Sequence, residues 1–126
     1  MIYLLVVIYV GKKYVNDNQI LLPKMIEIYK PVDFDWMHLA ITKSNPLTIH
    51  HIHESVYGGE TTIDNAALLG KKSHRILNML ESRDYGLYFA WNDLFRDINV
   101  SNRPPSDEYV KEMILLRNKT KKVIYK

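Results

Sequence analysis

The chain of 126 residues contains no cysteine. Disulfides and thiolate-bound zinc are thereby excluded, and the absence fits a reducing compartment. A membrane-length apolar run is missing too: residues 1–10, the most apolar stretch, supply about half of the ~20 that a spanning helix needs. No basic residue precedes that stretch, and Lys12 and Lys13 follow it without a small-residue cleavage pattern, so it does not read as a secretory signal. Rich in Val, Ile and Tyr, it reads as a buried β-strand, in a cytoplasmic protein with no membrane partner. Repeats and low-complexity segments are also absent. A net charge of +3 and a pI near 9.0 permit a polyanionic partner without requiring one.

What is present describes a folded domain. Hydrophobic content of 47% and charged content of 25% argue against disorder, and the length suits one domain with a real core. The positive charge is uneven. Residues 103–126 hold seven Lys/Arg against Asp107, Glu108 and Glu112, a net +4 that leaves −1 for the rest. Cations there could complement a helix dipole or contact phosphates.

The pattern predicts an α+β chain. After the first strand, Asn16-Asp17-Asn18 reads as a turn, and residues 20–22 and 25–29 as short strands separated by Pro23. Residues 31–46 are irregular, with Trp36, Met37 and Leu39 expected to pack. Residues 47–52 look β-like, 55–61 form a loop around Gly58-Gly59, and 63–69 are apolar and extended. Gly70-Lys71-Lys72-Ser73 opens a helix, with Ser73 or Gly70 near its cap. A second helix spans about residues 83–98, its face marked by Leu87, Tyr88, Trp91, Leu94, Phe95 and Ile98. Arg103-Pro104-Pro105 breaks the chain, and Ser106 caps a third helix whose stripe is Val110, Met113, Ile114 and Arg117. Three regions result, packed as one compact domain: a β-rich extension (1–46), a strand–loop–strand–helix unit (47–82) and C-terminal helices with a basic tail (83–126).

Three of the five histidines fall within four positions, His50, His51 and His53. Imidazole is a metal ligand and a general base near neutral pH, so such a cluster beside a Gly-Gly loop is a candidate site. The helix carrying His74 adds geometry. At 100° per residue, Ser73, Ile76, Leu77 and Leu80 share the core face, while His74 and Asn78 share another, beside Lys71. The helix start, with Lys71 and Lys72, also favours a phosphate.

The run Leu47-Thr48-Ile49-His50-His51-Ile52-His53-Glu54, then Gly58-Gly59-Glu60-Thr61-Thr62-Ile63-Asp64-Asn65, then Ser73-His74-Arg75-Ile76-Leu77-Asn78, resembles the HNH endonuclease motif of the ββα-metal, or His-Me finger, nucleases. His51 to Asn65 spans 14 positions and Asn65 to His74 spans 9. The resemblance covers residues 47–78 and implies a ββα-metal finger flanked by an N-terminal β segment and C-terminal helices. It implies metal-dependent hydrolysis of phosphodiester bonds in DNA, most naturally double-stranded, leaving 5′-phosphate and 3′-hydroxyl ends. By the same resemblance His51 is the general base, Asn65 the scaffold amide that orients it, and His50 and His74 the metal ligands. His53 and Asn78 are accessory candidates, and Lys71, Lys72 and Arg75 candidate nucleic-acid contacts. The implied cofactor is one divalent cation, Mg²⁺ in the family pattern. His50 stands where many members carry aspartate, and two imidazoles suit Mn²⁺, Ni²⁺ or Zn²⁺ better than an all-oxygen set does. The structural zinc cysteines of many members are missing.

Strand geometry sets a tension, because neighbours point to opposite faces and His50 and His51 cannot both meet one centre without a local twist. Two other functions stay open: a nucleic-acid-binding module that has lost turnover, and a histidine metal-binding regulator. The Gly-Gly-x-Thr-Thr-x-Asp-Asn scaffold weighs against the regulator, since simple metal binding does not need it.

Overall fold

A computed structural model of the chain describes residues 17–53 and 62–125. The expected strand over residues 1–10, Asn16, Glu54 and the Gly58-Gly59 loop lie outside the described residues. The elements run α1 (Asp17–Tyr29), β1 (Leu47–His51), a 3-10 turn (Ile63–Asn65), β2 (Ala66–Gly70), α2 (Lys71–Arg83), α3 (Tyr85–Ser101) and α4 (Asp107–Ile124). Helices and a two-stranded antiparallel sheet make the chain α+β. No helix among the described residues is long and apolar enough to cross a membrane.

The structure corrects the reading of residues 17–29. They form one helix rather than a turn and two strands, and Pro23 lies inside it. Leu21, Met25 and Tyr29, four apart, are all buried, which is a helical period. Pro23 removes one N–H from the helix while its own ring is exposed, and the buried stripe on the other side outweighs that loss. A second correction is smaller. Residues 63–65, expected as strand, form the 3-10 turn, closed by the Asn65 amide on the Thr62 carbonyl at 3.1 Å.

β1 and β2 pair from Leu47↔Gly70 to His51↔Ala66, placing Ala67 opposite His50. Every residue of β2 is buried. Alanines opposite the two imidazoles keep the cross-strand partner small. Behind the hairpin, Leu77 and Leu80 of α2, Trp91, Phe95 and Ile98 of α3, and Met113 and Leu116 of α4 close one core with Trp36, Met37 and the α1 stripe. α2 and α3 are separated only by Asp84, whose carboxylate caps α3 by accepting from the Leu87 amide at 3.1 Å. Ser106 caps α4 by accepting from Tyr109.

The start of α2 is held from outside the helix. Gly70, at its N-cap, brings no side chain, and the irregular segment before β1 supplies the acceptors. The Pro46 carbonyl takes the Lys71 amide at 3.0 Å, and Asn45 Oδ1 takes the Lys72 amide at 2.7 Å. Asp35, 1% exposed, accepts from the amides of Met37 and Leu39 through Oδ1, and from the Gly70 amide and the Ser73 hydroxyl through Oδ2. Only glycine fits position 70, because a Cβ there would run into the side-chain amide of Asn45.

Asp35→Ala should lower unfolding stability by roughly 3 kcal/mol or more, since it strands buried donors. Asp35→Asn should restore little, because an amide has one acceptor oxygen for two sets of donors. Urea unfolding followed by tryptophan fluorescence measures both; an Asn variant as stable as the parent would show that the second oxygen is dispensable.

Candidate functional site

His50 is the fourth residue of β1, and it is 1% exposed. Its ring lies edge-on to His74 of α2, with centroids 5.1 Å apart and planes at 79°, and 6.0 Å from Phe95 of α3. One polar contact holds it: Nε2 meets Oδ1 of Asn92 at 2.9 Å. An amide oxygen can only accept, so Nε2 carries the proton and Nδ1 the lone pair. Burial pushes the His50 pKa down to about 4; the Asn92 bond opposes that shift, and His74 and His51 add to it. His50 is therefore a neutral imidazole at neutral pH, the form that binds a metal.

His51 is half-buried, one position on, and close enough for its charge to bear on His50. Strand alternation directs neighbouring side chains apart, so His51 lies beside the His50–His74 pair rather than within it, still within electrostatic reach of His50. Asn65 acts on the backbone. Its Oδ1 accepts from the His53 amide at 2.7 Å and its Nδ2 donates to the His53 carbonyl at 2.8 Å. Together with the Ile52 amide on the Asn65 carbonyl at 2.9 Å, these bonds tie the end of β1 to the turn that begins β2. His53 contributes its main chain to this tie, while its residue as a whole is exposed.

A second amide supports the first. Asn99 of α3, buried, donates to the carbonyls of Ala66 at 3.0 Å and Asp64 at 3.3 Å, and accepts from the Tyr29 hydroxyl at 3.0 Å. The turn carrying Asn65 is thus fixed to α1 and α3. Burial, and Asp64 to a lesser degree, raise the Tyr29 pKa, which keeps its hydroxyl a donor. Sequence reasoning missed Asn92 and Asn99. Both lie on the otherwise apolar face of α3, seven apart, and a polar residue on such a face is a readable signal.

The remaining candidates scatter. Lys71, Arg75 and Asn78 are exposed on α2. Lys72 departs from the expected cluster: with Met37, Ile76, Trp91 and Arg117 it lines a separate cavity of about 170 Å³. The helical wheel puts Lys72 and Ile76 on a different flank of α2 from His74 and Asn78. The fifth histidine, His38, belongs to neither place; it stacks on Phe34 with centroids 4.1 Å apart and meets Arg117 at 3.1 Å.

Two imidazoles bound to one ion through bonds of about 2.1 Å place their ring centres about 5 Å apart. The His50–His74 separation of 5.1 Å lies within that reach and also within the spacing of an edge-to-face ring contact, and a metal-binding histidine commonly donates its second N–H to a carbonyl, as His50 does to Asn92. Among the described residues no group of three or more His, Cys, Asp or Glu side chains gathers to hold an ion. An ion held by this pair alone would need its remaining ligands from elsewhere.

The metal-free protein should lose stability in acid through His50. Its pKa of about 4 in the fold lies below its ordinary 6.5, so between those values the unfolded chain binds the proton more readily. The contribution is full above pH ~6.5, falls as pH drops and is gone below ~4, about 3 kcal/mol in all. Denaturant unfolding at pH values across that window measures it. His50→Gln should flatten the slope, and an unchanged slope would assign the effect elsewhere.

The functional reading rests on these residues alone: no family model matches the chain, and neither a curated protein nor a solved structure matches it.

Proposed function

We propose that the chain is a metal-dependent DNA endonuclease of the HNH type, with a ββα-metal finger over residues 47–82. The observation that carries this reading is the pairing of His50 on β1 with His74 on α2 across a strand–turn–strand–helix unit. The pair of hydrogen bonds between the Asn65 side chain and the His53 backbone supports it, because that is the work the family resemblance gives to that asparagine.

In this reading His51 takes the proton from a water as its oxygen attacks the phosphorus. The bond to the departing O3′ breaks, and that oxygen leaves as the 3′-hydroxyl once protonated from solvent. His50 and His74 would hold a divalent ion, which supplies charge stabilisation to the phosphate when bound. Lys71 and Arg75, exposed on α2, would meet neighbouring phosphates. The exposed Lys119, Lys121 and Lys122 near the end of α4 add sequence-independent attraction.

One observation favours a second reading, a module that binds nucleic acid without cutting it. Among the described residues the donor set reaches only two imidazoles, with no carboxylate joining them as a third group.

Supercoiled plasmid incubated with the protein and Mg²⁺, Mn²⁺ or Ni²⁺ separates the two. Nicking is expected, strongest with Mn²⁺ or Ni²⁺, and His51→Ala should slow it at least about 100-fold. His74→Ala should abolish the metal-dependent nicking. Plasmid that is bound but never nicked under any of the three ions would establish the silent module instead.

A further inference from the structure

Tyr85, Phe89, Asn92 and Arg96 follow one another on α3 at steps of four, three and four, and so form a single stripe along it. Two of them are large aromatics left in solvent: Tyr85 is 62% exposed and Phe89 54%. With His53 and Glu81 the stripe lines a hollow of about 170 Å³. The hollow shares its walls with the candidate site. Asn92 is the residue whose oxygen meets the His50 ring at 2.9 Å, and His53 is the residue whose backbone Asn65 fastens.

The composition of the hollow selects its occupant. Exposed rings four apart on a helix, with Cβ atoms about 5–6 Å apart, can meet one planar group, and the Tyr85 ring is backed by Tyr88 with centroids 5.6 Å apart. Base-on-aromatic stacking is a main source of affinity for single strands. Glu81 can only accept hydrogen bonds when ionised, as a base amino group requires, and the Nδ2 of Asn92 can donate to a base carbonyl. Arg96, exposed one turn beyond Asn92, offers a guanidinium to the phosphate on either side of that base. A base paired inside a duplex cannot lie flat on these rings. The mixed polar and aromatic lining suits a nucleobase better than a purely apolar group.

We propose that this hollow receives an unpaired base beside the phosphate presented to the histidines, so that the chain selects single-stranded or locally opened DNA over intact duplex. The inference rests on the nuclease reading above and names its substrate.

Fluorescence anisotropy of a short labelled oligonucleotide, single-stranded and as its blunt duplex, tests it in EDTA at one fixed salt concentration. The single strand should bind roughly tenfold more tightly than the duplex. Tyr85→Ala and Phe89→Ala, both at exposed positions, should each weaken the single strand roughly tenfold, and Phe89→Trp should retain it. 2-Aminopurine in that strand should be quenched by the wild-type chain and not by Phe89→Ala. Equal or tighter duplex binding, or alanine variants that bind like the parent, would overturn the proposal. So would a concentration-dependent dimer abolished by Phe89→Ala without any single-strand preference, which would make a second copy the occupant. Plasmid nicking without single-strand preference sinks this inference alone. Single-strand preference with no nicking under any metal supports the hollow and removes the nuclease reading.

Discussion

The carboxylate of Asp35 is buried under the junction of β2 and α2, and the placement of the candidate site follows from how it is satisfied. One oxygen organises its own loop through Met37 and Leu39; the other reaches Gly70 and Ser73. A buried carboxylate without such donors would be very costly. With them, it joins the irregular segment before the hairpin to the first turn of the helix that carries His74. Asn45 repeats the device from the same segment, its amide bridging the Lys72 N–H and the Ala40 carbonyl. Gly70 has no Cβ because Asn45 occupies that space. Remove the carboxylate, and the register between β1 and α2, hence between His50 and His74, loses its external reference.

Local sequence rules made much of the site legible and little of what supports it. The hairpin followed directly by a helix could be read from residues 47–83 because strand pattern, glycine and helical period follow each other there. The caps by Asp84 and Ser106 obey the usual side-chain rules, although the helix start expected at about residue 83 falls just before Asp84. α1 was misread because Pro23 is a local signal, whereas the Leu21–Met25–Tyr29 stripe is visible only when scored at a period of four against a core not yet known. Asp35 and Asn45 were not legible at all. Their acceptors serve amides some 30 residues away in sequence, and no local pattern encodes such a partner.

The basic residues teach a related lesson. Lys71, Lys72 and Arg75 look like one cluster when written in a line, yet a helix distributes them by angle. Lys72 goes with Arg117 and Trp91 on one flank, while Lys71 lies toward the flank of His74 and Asn78. Charge adjacency in sequence is therefore a poor guide to a binding face on a helix. The stripe on α3 shows the reverse: Tyr85, Phe89, Asn92 and Arg96 are dispersed in sequence and contiguous in space.

The electrostatics of the pair set a constraint on any ligand. The groups that move the His50 pKa are its burial, a neutral amide and two other imidazoles, and no carboxylate is among them. A divalent ion between His50 and His74 would keep its full charge, since neither donor is negative. Among the described residues no carboxylate joins the pair, so cancelling that charge in a buried place would fall to an anion from outside. A phosphodiester supplies one, with its second oxygen free for the exposed cations of α2. Under the proposed function, two neutral imidazoles would thus shift the balance from holding metal alone toward holding metal and phosphate together. The resting chain would bind the ion weakly and the loaded chain firmly, so metal affinity should rise when a non-cleavable DNA analogue is present.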